Sequence, residues 1–240
     1  MTSHSSQDKR ISDFLEELSH AVSRVRLEAY RPNAGSDLDT IVTYFWNITL
    51  CEALYPSLDA VEVVLRNSMH RVLSGHFQSE YWFDDKRLVR PVQQRQVAIA
   101  RQKLIDRRQL QTAGKIVAEL NFGFWVGMLN KPYEDSIWRI NRAAMLRSTV
   151  PYAVRRIQGR PFLHSRFHAI SQLRNRVMHY EPIWQRPDLL GDHAEILQAI
   201  GWISPSKGAA IELIDRFGDV HASGRAEIEA KLKVHILKLP

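Results

Sequence analysis

The chain carries the run Leu173-Arg174-Asn175-Arg176-Val177-Met178-His179-Tyr180-Glu181-Pro182, in which a guanidinium, a carboxamide and an imidazole fall close together. Those three groups suit the cleavage of RNA without a metal. RNA brings its own nucleophile, the 2′-hydroxyl. A protein then needs a base for that proton, an acid for the leaving 5′-oxygen, and positive charge for the crowded phosphorane. An imidazole, with an ordinary pKa of about 6.5, exchanges protons near neutrality. Arginine stays charged and grips phosphate through two parallel hydrogen bonds. On this reading His179 is the acid/base group and Arg174 the phosphate clamp. Asn175 orients the histidine or holds a phosphate oxygen, and Glu181 sets the imidazole tautomer. The scheme calls on no metal and no cofactor. A cation and a histidine in the last turn of a helix are also what the helix dipole favours, so the spacing by itself fits a structural role better than a catalytic one.

The elements around the run must position it. Ile170, Leu173 and Val177 share one helical face and are expected to pack inward, with Arg174 and Met178 flanking them. His179 follows Arg174 by five residues, which places it about 140° around an ideal helix. Such a helix would not aim both groups at one phosphate. Either Pro182, which disfavours helical geometry at Glu181, distorts the helix near His179, or two copies of the segment face each other across a dimer axis.

The rest of the chain reads as helices separated by Gly and Pro. Residues 1–10 are polar and read as a frayed tail. From Ile11 to about Tyr30, Phe14, Leu15, Leu18, Val22, Val25 and Ala29 recur at helical spacing, with Ser12 or Asp13 as the cap. Arg31 to Ser36 is rich in turn formers. Asp37 or Asp39 opens a second helix, and Pro56 either interrupts it or starts the next at its first turn. The segment from Leu58 to Leu73 buries Val61, Val64, Leu65 and Met69.

Tyr81 to Asp85 is an aromatic turn. Pro91 to about Gln111 is a basic helix carrying Arg95, Arg101, Lys103, Arg107 and Arg108, either a solvated face or a rim for phosphates. Ala113 to Leu129 is apolar, and Gly123 and Gly127 would let another helix approach. Further helices are expected at about 134–147, 151–158, 163–180, 188–201, 205–217 and 225–239. No series of alternating strands appears, so the fold class is all-α. No linker forces a boundary, and residues 11–240 are expected to form a single domain.

Composition narrows the function classes. Of 240 residues, 45% are hydrophobic and 25% charged, which is globular rather than disordered, and the net charge of +7 favours polyanionic partners. Cys51 is the single cysteine, so neither an internal disulfide nor a cysteine-built zinc cluster is available. The first ten residues lack the apolar core of a signal peptide, and no apolar run has membrane-spanning length, so a cytoplasmic protein without a membrane partner is expected. A nucleotide-binding regulator would need a glycine-rich phosphate loop, a serine hydrolase a nucleophile elbow, and a metallohydrolase a paired-histidine helix motif. None is present.

Arg174 to His179 resembles the signature of the HEPN superfamily. More specifically, four blocks in order resemble the Abi-like (AbiD/AbiF-type) abortive-infection family, between about residues 40 and 183. They are Tyr44-Phe45-Trp46-Asn47, Glu62-Val63-Val64-Leu65-Arg66-Asn67, Leu120-Asn121-Phe122-Gly123-Phe124-Trp125, and Leu173 through Ile183. The resemblance implies a HEPN-like helical bundle with additional N- and C-terminal helices. It also implies a metal-independent endoribonuclease, with its site where two HEPN units meet. The biological role implied is phage defence or the toxin of a toxin–antitoxin pair. RNA would be the substrate, a homodimer the working form, and a protein or small RNA the antitoxin.

Carried over by position, the family motif falls on Arg174, Asn175 and His179. Arg66-Asn67-Ser68-Met69-His70 echoes it one residue short, so Arg66 and Asn67, with Glu62 one turn earlier, are read as lining or bracing the same cleft. The echo is also compatible with helix packing alone. The alternative to a nuclease is a catalytically inactive HEPN module that binds RNA or a protein.

Overall fold

In the computed structural model the backbone is described for residues 2–138 and 142–236, and the side chains for 7–138 and 144–236. All regular structure among these residues is helical. The α-helices are α1 (Thr2–Val22), α2 (Arg24–Glu28), α3 (Asp37–Phe77), α4 (Pro91–Asp106), α5 (Ala113–Glu119) and α6 (Phe122–Met128). They continue as α7 (Arg142–Thr149), α8 (Arg160–Met178), α9 (Leu189–Ile203), α10 (Pro205–Glu212), α11 (Phe217–Ser223) and α12 (Ala226–Ile236). No helix among the described residues is long and apolar enough to cross a membrane.

The chain gathers into two compact units that interleave in sequence. The first comprises Met1–Tyr55, Asn175–His193 and Asp215–Pro240, the second Pro56–Arg174 and Ala194–Ile214. Three helices supply residues to both units: α3, α8 and α9.

In the first unit α1, the start of α3 and α12 enclose a core of Ile11, Ile41, Val42, Leu232 and Ile236, with Phe14, Leu15, Leu18, Leu38 and Phe45 packed on it. The helical backbone of α1 starts at Thr2, ahead of the expected start at Ile11, and Ile11 is the first buried side chain described. The expected helix to Tyr30 divides at Ser23. That residue has φ 76°, and its hydroxyl accepts the Arg26 amide, so Ser23 caps α2. The expected C-terminal helix forms as α12, and the final residues of the 225–239 range lie outside the described ones.

The second unit is built around aromatic rings. Trp82, Phe83, Phe124 and Trp125 are buried, with ring centroids 4.9–6.3 Å apart in edge contacts for Trp82–Phe83, Trp82–Trp125 and Phe124–Trp125. The apolar segment 113–129 is two helices, because Asn121 caps α6 by accepting the Phe124 amide at 2.9 Å. A Cβ at Gly127 would meet the Gln93 amide nitrogen at 2.8 Å, so the small residue admits α4's buried Gln93. Residues 134–138 form a π turn rather than the start of an α-helix, and 139–141 lie outside the described residues. Only a short 3₁₀ turn, Arg155–Ile157, stands where a helix over 151–158 was expected.

The main departure is α3. Its 41 residues run straight through Pro56, which neither stops the helix nor begins a new one. Leu50, Leu54, Leu58, Val61, Leu65, Met69 and Leu73 recur every three or four residues along it, and each is fully buried at 0% exposure. Packing of that stripe outweighs the hydrogen bond that proline removes and its clash with the carbonyl one turn earlier.

Candidate functional site

Helix α8 is amphipathic as expected. Leu163, Phe167, Ile170, Leu173 and Val177 are all buried, at 0–5% exposure. Asn175 and His179 are exposed, and Arg174 is half-buried. The unit boundary falls between Arg174 and Asn175, so each group of site residues is described within its own unit.

In the second unit Arg174, Glu62 and Arg66 come together. The Arg174 Nε lies 3.3 Å from the Glu62 Oε2, with the carboxylate side chain 15% exposed. Burial raises the Glu62 carboxyl above its usual range, against the pull of the Arg174 and Arg66 guanidinium groups and the Phe122 amide. Arg66 also donates to the Ala118 carbonyl at 3.3 Å. Glu62 and Arg66 therefore form a braced patch with Arg174, one turn apart on α3. Asn67, the next residue, is exposed. His70 is committed elsewhere. Its Nδ1 accepts the Trp82 indole N–H at 3.2 Å, which requires that nitrogen to be unprotonated, and burial lowers its pKa.

In the first unit His179 stands at the C-terminal cap of α8. Its amide still donates to the Asn175 carbonyl at 2.9 Å, so the backbone stays helical up to His179. The break comes after it. Tyr180 adopts φ 57°, its amide donates to the Val177 carbonyl at 3.2 Å, and the Glu181 amide donates to the Arg176 carbonyl at 2.8 Å. That pair of bonds is a Schellman closure with a tyrosine where glycine is usual. The distortion anticipated from Pro182 exists, but it falls beyond His179.

The strained turn is held from several directions. The Tyr180 carbonyl accepts from the Arg26 guanidinium and from the Tyr30 hydroxyl at 3.2 Å. The Arg26 guanidinium also lies 5.9 Å over the Tyr180 ring. Arg176 donates to the Pro182 carbonyl at 2.8 Å. Glu181 lies 3.7 Å from the Arg176 guanidinium, the ion pair that stands where a bond to the His179 imidazole was expected. Just beyond, Asn47, only 2% exposed, accepts the Ile183 and Trp184 amides at 2.7 and 3.2 Å.

Sequence reasoning missed Arg26 and Tyr30. Their partner is a backbone carbonyl some 150 positions away, for which no side-chain pattern gives a signal. Asn47 lay within a noted block but had no assigned role.

The basic segment 91–111 is partly paired, while Arg95 and Arg108 are exposed and form no ion pair among the described residues. Arg101 pairs with Asp84 at 2.6 Å, and Arg107 and Lys103 pair with Glu119 at 2.5 and 3.9 Å. Phe122, Phe124 and Trp125 are at most 1% exposed and fill the core, so none of them presents a face for base stacking. No group of three or more His, Cys, Asp or Glu among the described residues could hold a metal ion.

What fold and site define together is an all-helical protein with an exposed histidine on a braced helix terminus. No family model matches the chain, and no curated protein or solved structure is significantly similar to it.

Proposed function

We propose that the chain is a metal-independent endoribonuclease of the HEPN kind, resembling the Abi-like proteins and acting in phage defence or as the toxin of a toxin–antitoxin pair. The observation that carries this reading is the exposed His179 at the end of a helix, immediately before a turn fixed by Arg26, Tyr30 and Arg176. An exposed imidazole next to a costly left-handed residue, Tyr180, is open to solvent and substrate for proton transfer.

In the reaction a base removes the 2′-hydroxyl proton and O2′ attacks the phosphorus. The bond from phosphorus to the 5′-oxygen breaks, and that oxygen takes a proton. The products are a 2′,3′-cyclic phosphate and a 5′-hydroxyl. His179 supplies one of the two proton transfers and Arg174 the charge opposite the phosphorane. Because an α-helix sets these positions on different sides, a second copy completes the constellation in a homodimer. A protein or small RNA antitoxin would act by covering it.

The Arg174–Glu62 pair favours a second reading. A guanidinium already matched by a carboxylate is what a non-catalytic HEPN module that binds RNA or a protein would retain.

Incubating the purified chain with RNA in EDTA separates the two. Cleavage leaving 2′,3′-cyclic phosphate ends, lost by at least about 100-fold in His179→Ala, is expected for the nuclease. A strict magnesium requirement, or undiminished cleavage by the variant, overturns it. Binding of RNA without cleavage by the unaltered chain supports the second reading.

A further inference from the structure

At the opposite end of α8 the second unit holds a cleft of about 400 Å³, lined by Glu134, Arg147, Arg155, Gln158, Gly159 and Arg160 among others. Among the described residues, three guanidinium groups and one carboxylate line it. Arg160 is 7% exposed, donating to the Leu129 carbonyl at 2.8 Å and to Glu134 at 3.2 Å. Its Nε is buried and has no hydrogen-bond partner among the described residues. The guanidinium charge is matched by Glu134, so Arg160 enters the cleft wall as a fixed, buried cation rather than as an open donor. Arg147 and Arg155 are exposed and form no ion pair among the described residues.

The helix start adds donors. The Gly159 carbonyl accepts the Leu163 amide at 3.0 Å, which makes Gly159 the cap residue of α8, and glycine has no side chain to take the first amides. Pro161 has no N–H, so the Arg160 and Phe162 amides are the backbone donors of this first turn. The dipole of a 19-residue helix points its positive end the same way.

We infer that this cleft binds the phosphate group of a phosphomonoester, seated at the start of α8. Arg147 and Arg155 fork onto the phosphate oxygens, and Arg160 is the fixed charge behind them. The volume exceeds what a bare phosphate fills and leaves room for an organic group of about nucleoside size. None of these residues takes part in the proposed RNA cleavage, so the site stands or falls separately from that activity.

Calorimetric titration at constant ionic strength tests it, with inorganic phosphate, adenosine 5′-monophosphate and adenosine as probes. Saturable binding of the first two and none of adenosine is expected. The double variant Arg147→Gln/Arg155→Gln should weaken both by at least about tenfold while melting within about 2 °C of the unaltered chain. His179→Ala should bind as the unaltered chain does. Tighter binding of the nucleotide than of phosphate assigns the site to nucleotide or RNA ends, and equal binding assigns it to free phosphate. Absence of saturable binding, or equal binding by the double variant, overturns the site.

Discussion

Single side chains that serve the backbone decide where the candidate chemistry sits. Asn47 uses one carbonyl oxygen to satisfy two successive amides, Ile183 and Trp184, and Ile183 is fully buried. Replacing it by leucine fills a similar volume but leaves two donors without an acceptor, one of them in a buried residue. An unpaired buried amide costs about 1–3 kcal/mol, so Asn47→Leu should lower stability by about 2–4 kcal/mol, read as a shift in the urea midpoint at unchanged slope. A loss below about 0.5 kcal/mol would show that water takes over both amides. The helix that carries Arg174 and Asn175 and ends next to His179 was legible from apolar spacing and from Pro182. The bonds that fix its end were not. Arg26 and Tyr30 act on the Tyr180 carbonyl, and a carbonyl is the same at every position of a sequence.

Among the elements, α3 shows where local signals are overruled. Proline in a helix interior usually costs about 3 kcal/mol, and the sequence offers Pro56 as a natural boundary. The apolar residues on either side keep one helical phase from Leu50 to Leu73, and burying them holds the helix together through the proline. The clue to a single helix was therefore present in the phase of the pattern rather than in its composition. The opposite error occurred at 113–129, where a continuous apolar run hid a cap. Asn121 ends one helix and starts another, and its side chain could have been read as that signal. It follows that Pro56→Ala should stabilise the chain by about 1–3 kcal/mol, since it restores a donor to the ladder and removes the ring clash. A thermal melt checks this. A lower melting temperature would mean that the surroundings of α3 have adapted to the proline.

For the molecule as a whole, each compact unit contains a histidine that burial keeps neutral. His70 in the second unit accepts the Trp82 indole, and burial lowers its pKa although Glu80 pulls the other way. His193 in the first unit is 7% exposed, lies 3.0 Å from the Asp215 carboxylate and has the Phe217 ring tilted against it at 4.5 Å. Burial outweighs the attraction of Asp215 and lowers its pKa as well. With native values below the unfolded value of about 6.5, the unfolded chain binds protons that the native chain refuses as pH falls through that range. Stability is thus complete above about pH 7 and declines on acidification, by at most about 1.4 kcal/mol per pH unit for each histidine. Glu62, raised by burial, acts in the opposite sense lower down, in the carboxylate range, so the window between about pH 7.5 and 6 is where the histidines dominate. Urea unfolding across that window should show a falling midpoint, and His70→Gln should flatten the fall while removing part of the stability at neutral pH. A midpoint that rises on acidification would mean that the native chain binds more protons than the unfolded chain across this window, and would overturn the assignment of two neutral, buried imidazoles as the dominant groups.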